Sequence, residues 1–299
     1  MKQFLTTLLF LLSPFLMHAQ PVPKDSGYVS ISHGGKMYYE AYGNGTPLIL
    51  IHGHTLDRRM WRKQVEEFAN HHYRVITPDL RGYGRSSRQF EGLNTTHVDD
   101  IIAFMDSLHI GQAHVVGLSM GGFIAADMVC MYPERMLSCV MASGSLRNRK
   151  GPSEPMDSAE IAESDAAIQK VLEQGISRWK QDWIEKLVSG GGSKAESIRR
   201  DLTEMIYDWD AWQLVHHELR LFYARDAQPV LQTKSPTVPC LFLSGENEHK
   251  KRPGMMKYLP NSRFEVLPDC GHMNNMEQPQ LFNQAILSFL DSANEQENK

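Results

Sequence analysis

The sequence predicts an α/β fold: a mostly parallel sheet with helices on both faces and one helical segment inserted late in the chain. Three observations carry this. Short, continuous apolar runs recur at Leu48–Ile51, Ala113–Val116, Leu137–Met141 and Cys240–Leu243, as expected of strands buried on both faces. Stretches with apolar residues at helical spacing lie between such runs, and that alternation is the mark of a parallel sheet. The alternation fails once, from about Arg147 to about Gln232, where no buried strand can be read.

Taken in order, the chain opens on Lys2, the apolar run Phe4–Met17 and then His18-Ala19-Gln20. A run of 14 residues is short of the ~20 needed to span a bilayer. With a basic start and Ala19 before a polar, Pro-containing stretch, it reads as a signal peptide over residues 1–19 and predicts export to periplasm or medium. It implies no stable membrane anchor. Lys36–Tyr42 alternates in polarity and predicts an antiparallel strand. Leu48–Ile51 and Arg74–Thr77 predict buried strands. Val98, Ile101, Ile102, Met105 and Leu108 form a helical stripe over Thr95–His109, and Thr95 or Thr96 with Asp99 supplies a cap at its start. Ala113–Val116, a helix to about Tyr132, and Leu137–Met141 follow. Cys240–Leu243, Arg263–Val266 and a helix from Pro279 to Leu290 close the fold. The core therefore spans 20–146 and 233–290, a helical lid spans 147–232, and 291–299 is a polar tail expected to be disordered. Within the lid, Trp179 and Trp183 stand four apart on one helix face, Gly190-Gly191-Gly192 breaks the helical pattern, and Trp209 and Trp212 lie beyond.

A chain of 299 residues with 41% hydrophobic content can bury one sizeable core. Its formal net charge is −4, so no basic excess points to nucleic acid. The four cysteines are Cys130, Cys139, Cys240 and Cys270. Cys139 and Cys240 fall in core-strand runs, which favours buried thiols over disulfides.

The chemistry is concentrated in three short stretches. Gly117-Leu118-Ser119-Met120-Gly121 fits G-x-S-x-G between a buried strand and a helix, the context of a nucleophile elbow. A sharp turn there exposes the Ser119 hydroxyl and leaves no room for side chains at 117 and 121. A serine needs a base, and His272, in the loop after the last strand, stands where that base belongs. The acid should come between them in the chain. Ser244-Gly245-Glu246-Asn247-Glu248 follows the strand at Cys240, and both Glu248 and Glu246 are open to the role.

These motifs resemble the α/β-hydrolase superfamily, from about Tyr28 to Leu290. The resemblance implies the α/β-hydrolase fold. The family's Gly-x-x-Asp loop aligns Glu248 with the acid, although glutamate is one methylene longer. His52-Gly53-His54 resembles the family's oxyanion loop, and Asp79–Ser86 its Asp-x-Arg-Gly-x-Gly-x-Ser stretch, read as a structural turn. Within the superfamily the chain is similar to lidded carboxylesterases, enol-lactonases and cofactor-free haloperoxidases. The expected site is then Ser119, His272 and Glu248, with the N–H groups of His54 and Met120 as oxyanion donors. Trp179 and Trp183 either roof the acyl pocket or pack the lid to the core. The expected reaction is hydrolysis of a small-molecule ester or lactone through an acyl-enzyme, without a cofactor. A haloperoxidase-like activity and a non-catalytic binding protein on the same fold are the alternatives. His52-Gly53-His54 with Asp57 departs from H-x-H-x-D-H by one position, and Arg58 replaces the last histidine, so no metal is expected.

Overall fold

A computed structural model of the chain describes residues 22–90, 92–93, 95–146, 158–216, 227–234, 236–248 and 254–297. The expected signal peptide 1–19 and residues 147–157 and 217–226 of the expected lid lie outside them. The described strands are β1 (Asp25–Ser30), β2 (Lys36–Tyr42), β3 (Thr46–Ile51), β4 (Tyr73–Pro78), β5 (Ala113–Leu118), β6 (Met136–Ala142), β7 (Cys240–Gly245) and β8 (Ser262–Leu267). They form one sheet of order β1-β2-β4-β3-β5-β6-β7-β8. The pairs β1–β2 and β2–β4 are antiparallel; every pair from β4–β3 to β7–β8 is parallel.

The parallel strands are apolar on both faces because both faces are covered. On β3, Ile49 and Ile51 enter one core cluster, Leu48 and Leu50 the other. On β5, Val115 and Val116 divide in the same way, as the two-residue period of a strand requires. The first cluster is completed by α2 (His97–Ser107) and α3 (Met120–Met131). The second is completed by α1 (Val65–Asn70), and by the helices α8 (Asn274–Glu277) and α9 (Pro279–Glu297). At the start of α2 the Thr96 hydroxyl accepts from Asp99 N at 3.1 Å and the Asp99 carboxylate accepts from Thr96 N at 3.0 Å, so Thr96 is the capping residue.

One strand was missed from sequence, and one local expectation is corrected. Strand β1 was not legible, because it is an edge strand whose residues are exposed or half-buried and carries no apolar run. The polar tail is not disordered from Asp291: α9 continues to Glu297. Ala293 is buried there, and Asn294 Nδ2 donates to the Tyr73 hydroxyl at 3.1 Å, so the sheet holds the helix where composition alone reads as solvated.

Between β6 and β7 the described residues form α4 (Ser158–Gln174), α5 (Ile176–Ser189), α6 (Arg199–Asp208) and α7 (Ala227–Lys234), without a strand. Helix α5 buries Ile184, Leu187 and Val188, and α6 buries Leu202, Met205 and Ile206. These residues join the cluster that contains Leu48 and Leu50, so the inserted helices extend the second core.

Candidate active site

The predicted site residues gather at the carboxyl ends of β3, β5, β7 and β8, where ligands bind in open parallel sheets. Ser119 lies between β5 and α3 with φ 57° and ψ −114°, a strained turn for a residue with a Cβ. The flanking glycines are required by close approach. A Cβ on Gly117 would strike the Gly121 carbonyl, and one on Gly121 would strike that of Ile51. This tight packing brings β3's end against the turn: a Cβ built on Gly53 would lie 3.4 Å from the Ser119 Cβ. His54 and Met120 therefore flank Ser119, and the N–H of neither has an acceptor among the described residues. The Met120 N–H also opens α3, where the helix dipole adds partial positive charge.

Glu248 and His272 are in contact. Glu248 Oε1 is 2.7 Å from His272 Nδ1, with the glutamate side chain 7% and the imidazole 30% exposed. Glu246 is directed elsewhere: its Oε2 accepts from Asp269 N at 3.0 Å. The second oxygen of Glu248 is also held. Ser143 Oγ lies 2.7 Å from Glu248 Oε2, Ser244 Oγ lies 3.1 Å from it and Gly245 N 3.3 Å. Ser143 Oγ is also 3.0 Å from the His272 carbonyl oxygen and accepts from Asn274 Nδ2 at 2.9 Å. These contacts show how the longer glutamate is accommodated, because one oxygen faces the imidazole while the other is anchored at the ends of β6 and β7.

Ser143, Ser244 and Asn274 were not singled out by sequence reasoning. The available signal was a hydroxyl at the carboxyl end of each of two buried strands, Ser143 directly after β6 and Ser244 in the last two residues of β7. Ser143 has φ 49° and is buried, a further non-glycine residue in the left-handed region beside Ser119.

The other wall is aromatic. His54 Nδ1 is 2.7 Å from the Tyr83 hydroxyl, and its ring meets Trp209 edge-on at 5.0 Å. Trp179 stacks on Trp183 at 5.7 Å and tilts against Trp209 at 6.1 Å. Trp183 Nε1 donates to Thr55 Oγ1 at 3.1 Å. Trp183 and Trp209 thus sit against the His54–Thr55 loop. Asp79–Ser86 is a structural turn, as read: Asp79 accepts from Arg58 N and Arg85 N, each at 2.9 Å. Yet its Tyr83 side chain points to His54, a role the motif did not disclose.

Burial sets the electrostatics of this floor. It pushes His52 down to about 4, His54 down to about 4 and His97 down to about 3, because an apolar surround disfavours the charged ring. His52 Nε2 accepts from Leu80 N at 2.9 Å, which leaves its Nδ1–H to donate to Gly53 O. Burial likewise raises Asp79 to about 6, against the opposing pull of Arg58. Among the described residues no group of three or more His, Cys, Asp or Glu side chains is placed to hold a metal ion. The four cysteines are free thiols, all buried.

The sequence pattern of the alpha/beta hydrolase family matches residues 48–285. The chain belongs to this family. Among curated relatives it is 28% identical to a putative non-heme bromoperoxidase of Mycobacterium tuberculosis, over 85% of this chain and 97% of that one. It is 24% identical to bifunctional epoxide hydrolase 2 of Sus scrofa over 91% of this chain, but spans only 56% of that protein. Among solved structures it is similar to a thermophilic esterase from Thermogutta terrifontis. The identity is 26% and the TM-score 0.74, covering 90% of this chain and 99% of that one.

Proposed function

We propose that this hydrolase-family chain is a serine hydrolase that cleaves small-molecule carboxylic esters or lactones through an acyl-enzyme. The observation that carries the reading is the Glu248–His272 contact at 2.7 Å, built at the same strand ends as the strained Ser119 turn. The similarity to an esterase over nearly the full chain supports the ester class.

In this reading the Ser119 hydroxyl attacks the carbonyl carbon while His272 takes its proton. Glu248, facing Nδ1, fixes the tautomer and stabilises the imidazolium. The N–H groups of His54 and Met120 receive the oxyanion, and removing one such donor costs about a hundredfold or more in rate. His272 returns the proton to the leaving alkoxide, and water repeats the cycle on the acyl-enzyme. No cofactor enters these steps. The inserted helices act as a lid, and Trp179 and Trp183 line the acyl side of the pocket. The chain is exported after removal of residues 1–19; N-terminal mass mapping of secreted protein should find a start near Gln20.

The test is hydrolysis of a panel of p-nitrophenyl esters and simple lactones, paired with fluorophosphonate labelling. Labelling should occur and should vanish in Ser119→Ala. Labelling that persists in the variant overturns the nucleophile, and a panel left untouched overturns the substrate class.

A further inference from the structure

The Gly190-Gly191-Gly192 break has no part in the proposed chemistry, yet it lies against the loop that carries His272. It forms the turn between α5 and α6. A Cβ on Gly192 would strike the Asp269 carbonyl oxygen, and a Cβ on Gly271 would strike that of Gly190. A Cβ on Gly191 would come within 2.7 Å of Glu277 Oε2. None of these three positions has the positive φ that glycine uniquely favours. The glycines are therefore there for closeness: two backbones meet with no side chain between them.

Hydrogen bonds join the same surfaces. Glu277, 1% exposed, accepts from Gly192 N at 2.7 Å and from Gly271 N at 3.2 Å. One carboxylate thus bridges the inserted helices and the residue directly before His272. Asp269 accepts from Ser193 N at 2.7 Å and from the Ser193 hydroxyl. Asn247, beside Glu248, donates from Nδ2 to Gly191 O at 2.7 Å and from its backbone N–H to Cys270 O at 3.0 Å. Lys194 Nζ reaches Gln278 Oε1 at 2.9 Å, and Gln278 Nε2 reaches Asp269 O at 3.0 Å. Burying a carboxylate is costly unless donors meet it, and here the donors are main-chain N–H groups from two segments far apart in sequence.

We propose that Glu277 is a positioning residue for His272, and that the turn at 190–194 is part of the support of the catalytic base. The proposal rests on the reading of His272 as that base. Glu277 never meets substrate. It fixes the Gly271 N–H, and through it the backbone that holds the His272 imidazole against Glu248, while Asp269 and Asn247 secure the two ends of the same support. The insertion is then anchored at its α5–α6 turn.

Two variants test this. Glu277→Gln removes the charge that both N–H groups face and leaves them to share one oxygen, since Oε2 lies 2.7 Å from Gly192 N and 3.3 Å from Gly271 N. Ser193→Ala removes one hydroxyl from an exposed turn and leaves the core intact. For Glu277→Gln, kcat should fall about tenfold or more with KM within about threefold, the pattern of a lost transition-state arrangement. For Ser193→Ala, a loss of about threefold in kcat is expected on the same grounds. In both, amide exchange over residues 269–273 should accelerate, because the loop opens locally. Unchanged exchange there, or a rise in KM alone, overturns the proposal. If Glu277→Gln does not fold, Ser193→Ala decides by the same readouts. A second arm compares the His272 Nδ1–H proton resonance in Ser119→Ala and in Ser119→Ala/Glu277→Gln, where turnover plays no part. A resonance that moves supports the positioning role even if no ester is cleaved. One that stays in place overturns it even if ester hydrolysis is robust.

Discussion

The strand-end loops and the inserted helices hold their side chains by different forces. Glu248 is fixed by directional contacts: His272 at 2.7 Å on one oxygen, Ser143 at 2.7 Å and Ser244 at 3.1 Å on the other. Trp179, Trp183 and Trp209 are fixed mainly by ring contacts between 5.7 and 6.1 Å. A charge-assisted hydrogen bond depends steeply on geometry, whereas packed rings tolerate a tilt or a shift. The two regions should therefore respond differently to change: substitutions at the strand ends should act on kcat and act abruptly, and those in the insertion should act on KM and act gradually.

The largest effect expected is at Ser119. Ser119→Ala should fold with an unchanged thermal midpoint and lose about a thousandfold or more in kcat, leaving what binding and the oxyanion donors supply. Steady-state kinetics on one activated ester measures it. Residual activity within tenfold of the parent would place the nucleophile elsewhere.

The second contrast lies inside one turn of chain. Glu248→Gln should cut kcat/KM by about a hundredfold or more, since it removes the charge facing His272 Nδ1. Glu246→Gln should change it less than about tenfold, as its Oε2 accepts from Asp269 N, away from His272. The ratio of the two variants on one substrate is the measurement. Near-equal losses would mean that the loop acts as a unit, and that the contact geometry does not select one acid.

These two regions also differed in how far they could be read in advance. Around Ser119 the signal is local: Gly117 and Gly121 sit within two residues of the serine because the turn has no space for a Cβ, so five letters disclose the geometry. The alternating apolar runs disclosed the parallel core for a similar reason, each strand being buried along its own length. The clamp on Glu248 was not legible. Ser143 lies 105 residues from Glu248, and only the register of β6 against β7 brings the hydroxyl and carboxylate together. The triple glycine was visible but its purpose was not, since its partners Asp269 and Glu277 come from the far end of the chain. Edge strand β1 escaped because exposure removes the apolar signal, and the last turns of α9 because composition does not reveal that Ala293 is buried.

Acid should separate the regions by stability. His52, His54 and His97 under the strand ends, and His114 on β5, are all pushed down to between about 3 and about 4 by burial. Their unfolded counterparts titrate near ~6.5. Between those values the unfolded chain binds more protons, so stability falls as pH drops through about 6.5 toward 4. Asp79, raised to about 6, acts in the opposite sense: it holds a proton in the folded state that the unfolded chain releases above about 4. One acid opposes four histidines, so the net effect is acid destabilisation. Urea unfolding at pH 7 and pH 5 should show it, and His97→Phe should flatten the slope by about one proton. An unchanged slope would mean that His97 is protonated on folding or that the unfolded chain shields it.

The smallest effect, and the finest test of the contrast, is at Trp183. Among the described residues it is the one tryptophan of α5 with a directional bond to the loop at His54–Thr55, Nε1 donating to Thr55 Oγ1 at 3.1 Å. Thr55 follows His54, has φ 67° and is fully buried, so the backbone is strained directly after His54. Trp183→Phe keeps an aromatic ring beside Trp179 and removes that bond together with part of the ring surface that faces Trp179 and Lys186. If Trp183 serves as pocket wall, KM for a medium-chain ester should rise about two- to threefold with kcat within about twofold, the signature of lost uniform binding. Thr55→Val should match it, because it deletes the other end of the same bond, and the double variant should cost no more than either alone. A fall in kcat of about tenfold would place Trp183 among the groups that hold the transition state. The aromatic wall would then belong with the strand-end loops, and the division between directional and packed regions would have to be drawn through α5 instead of in front of it.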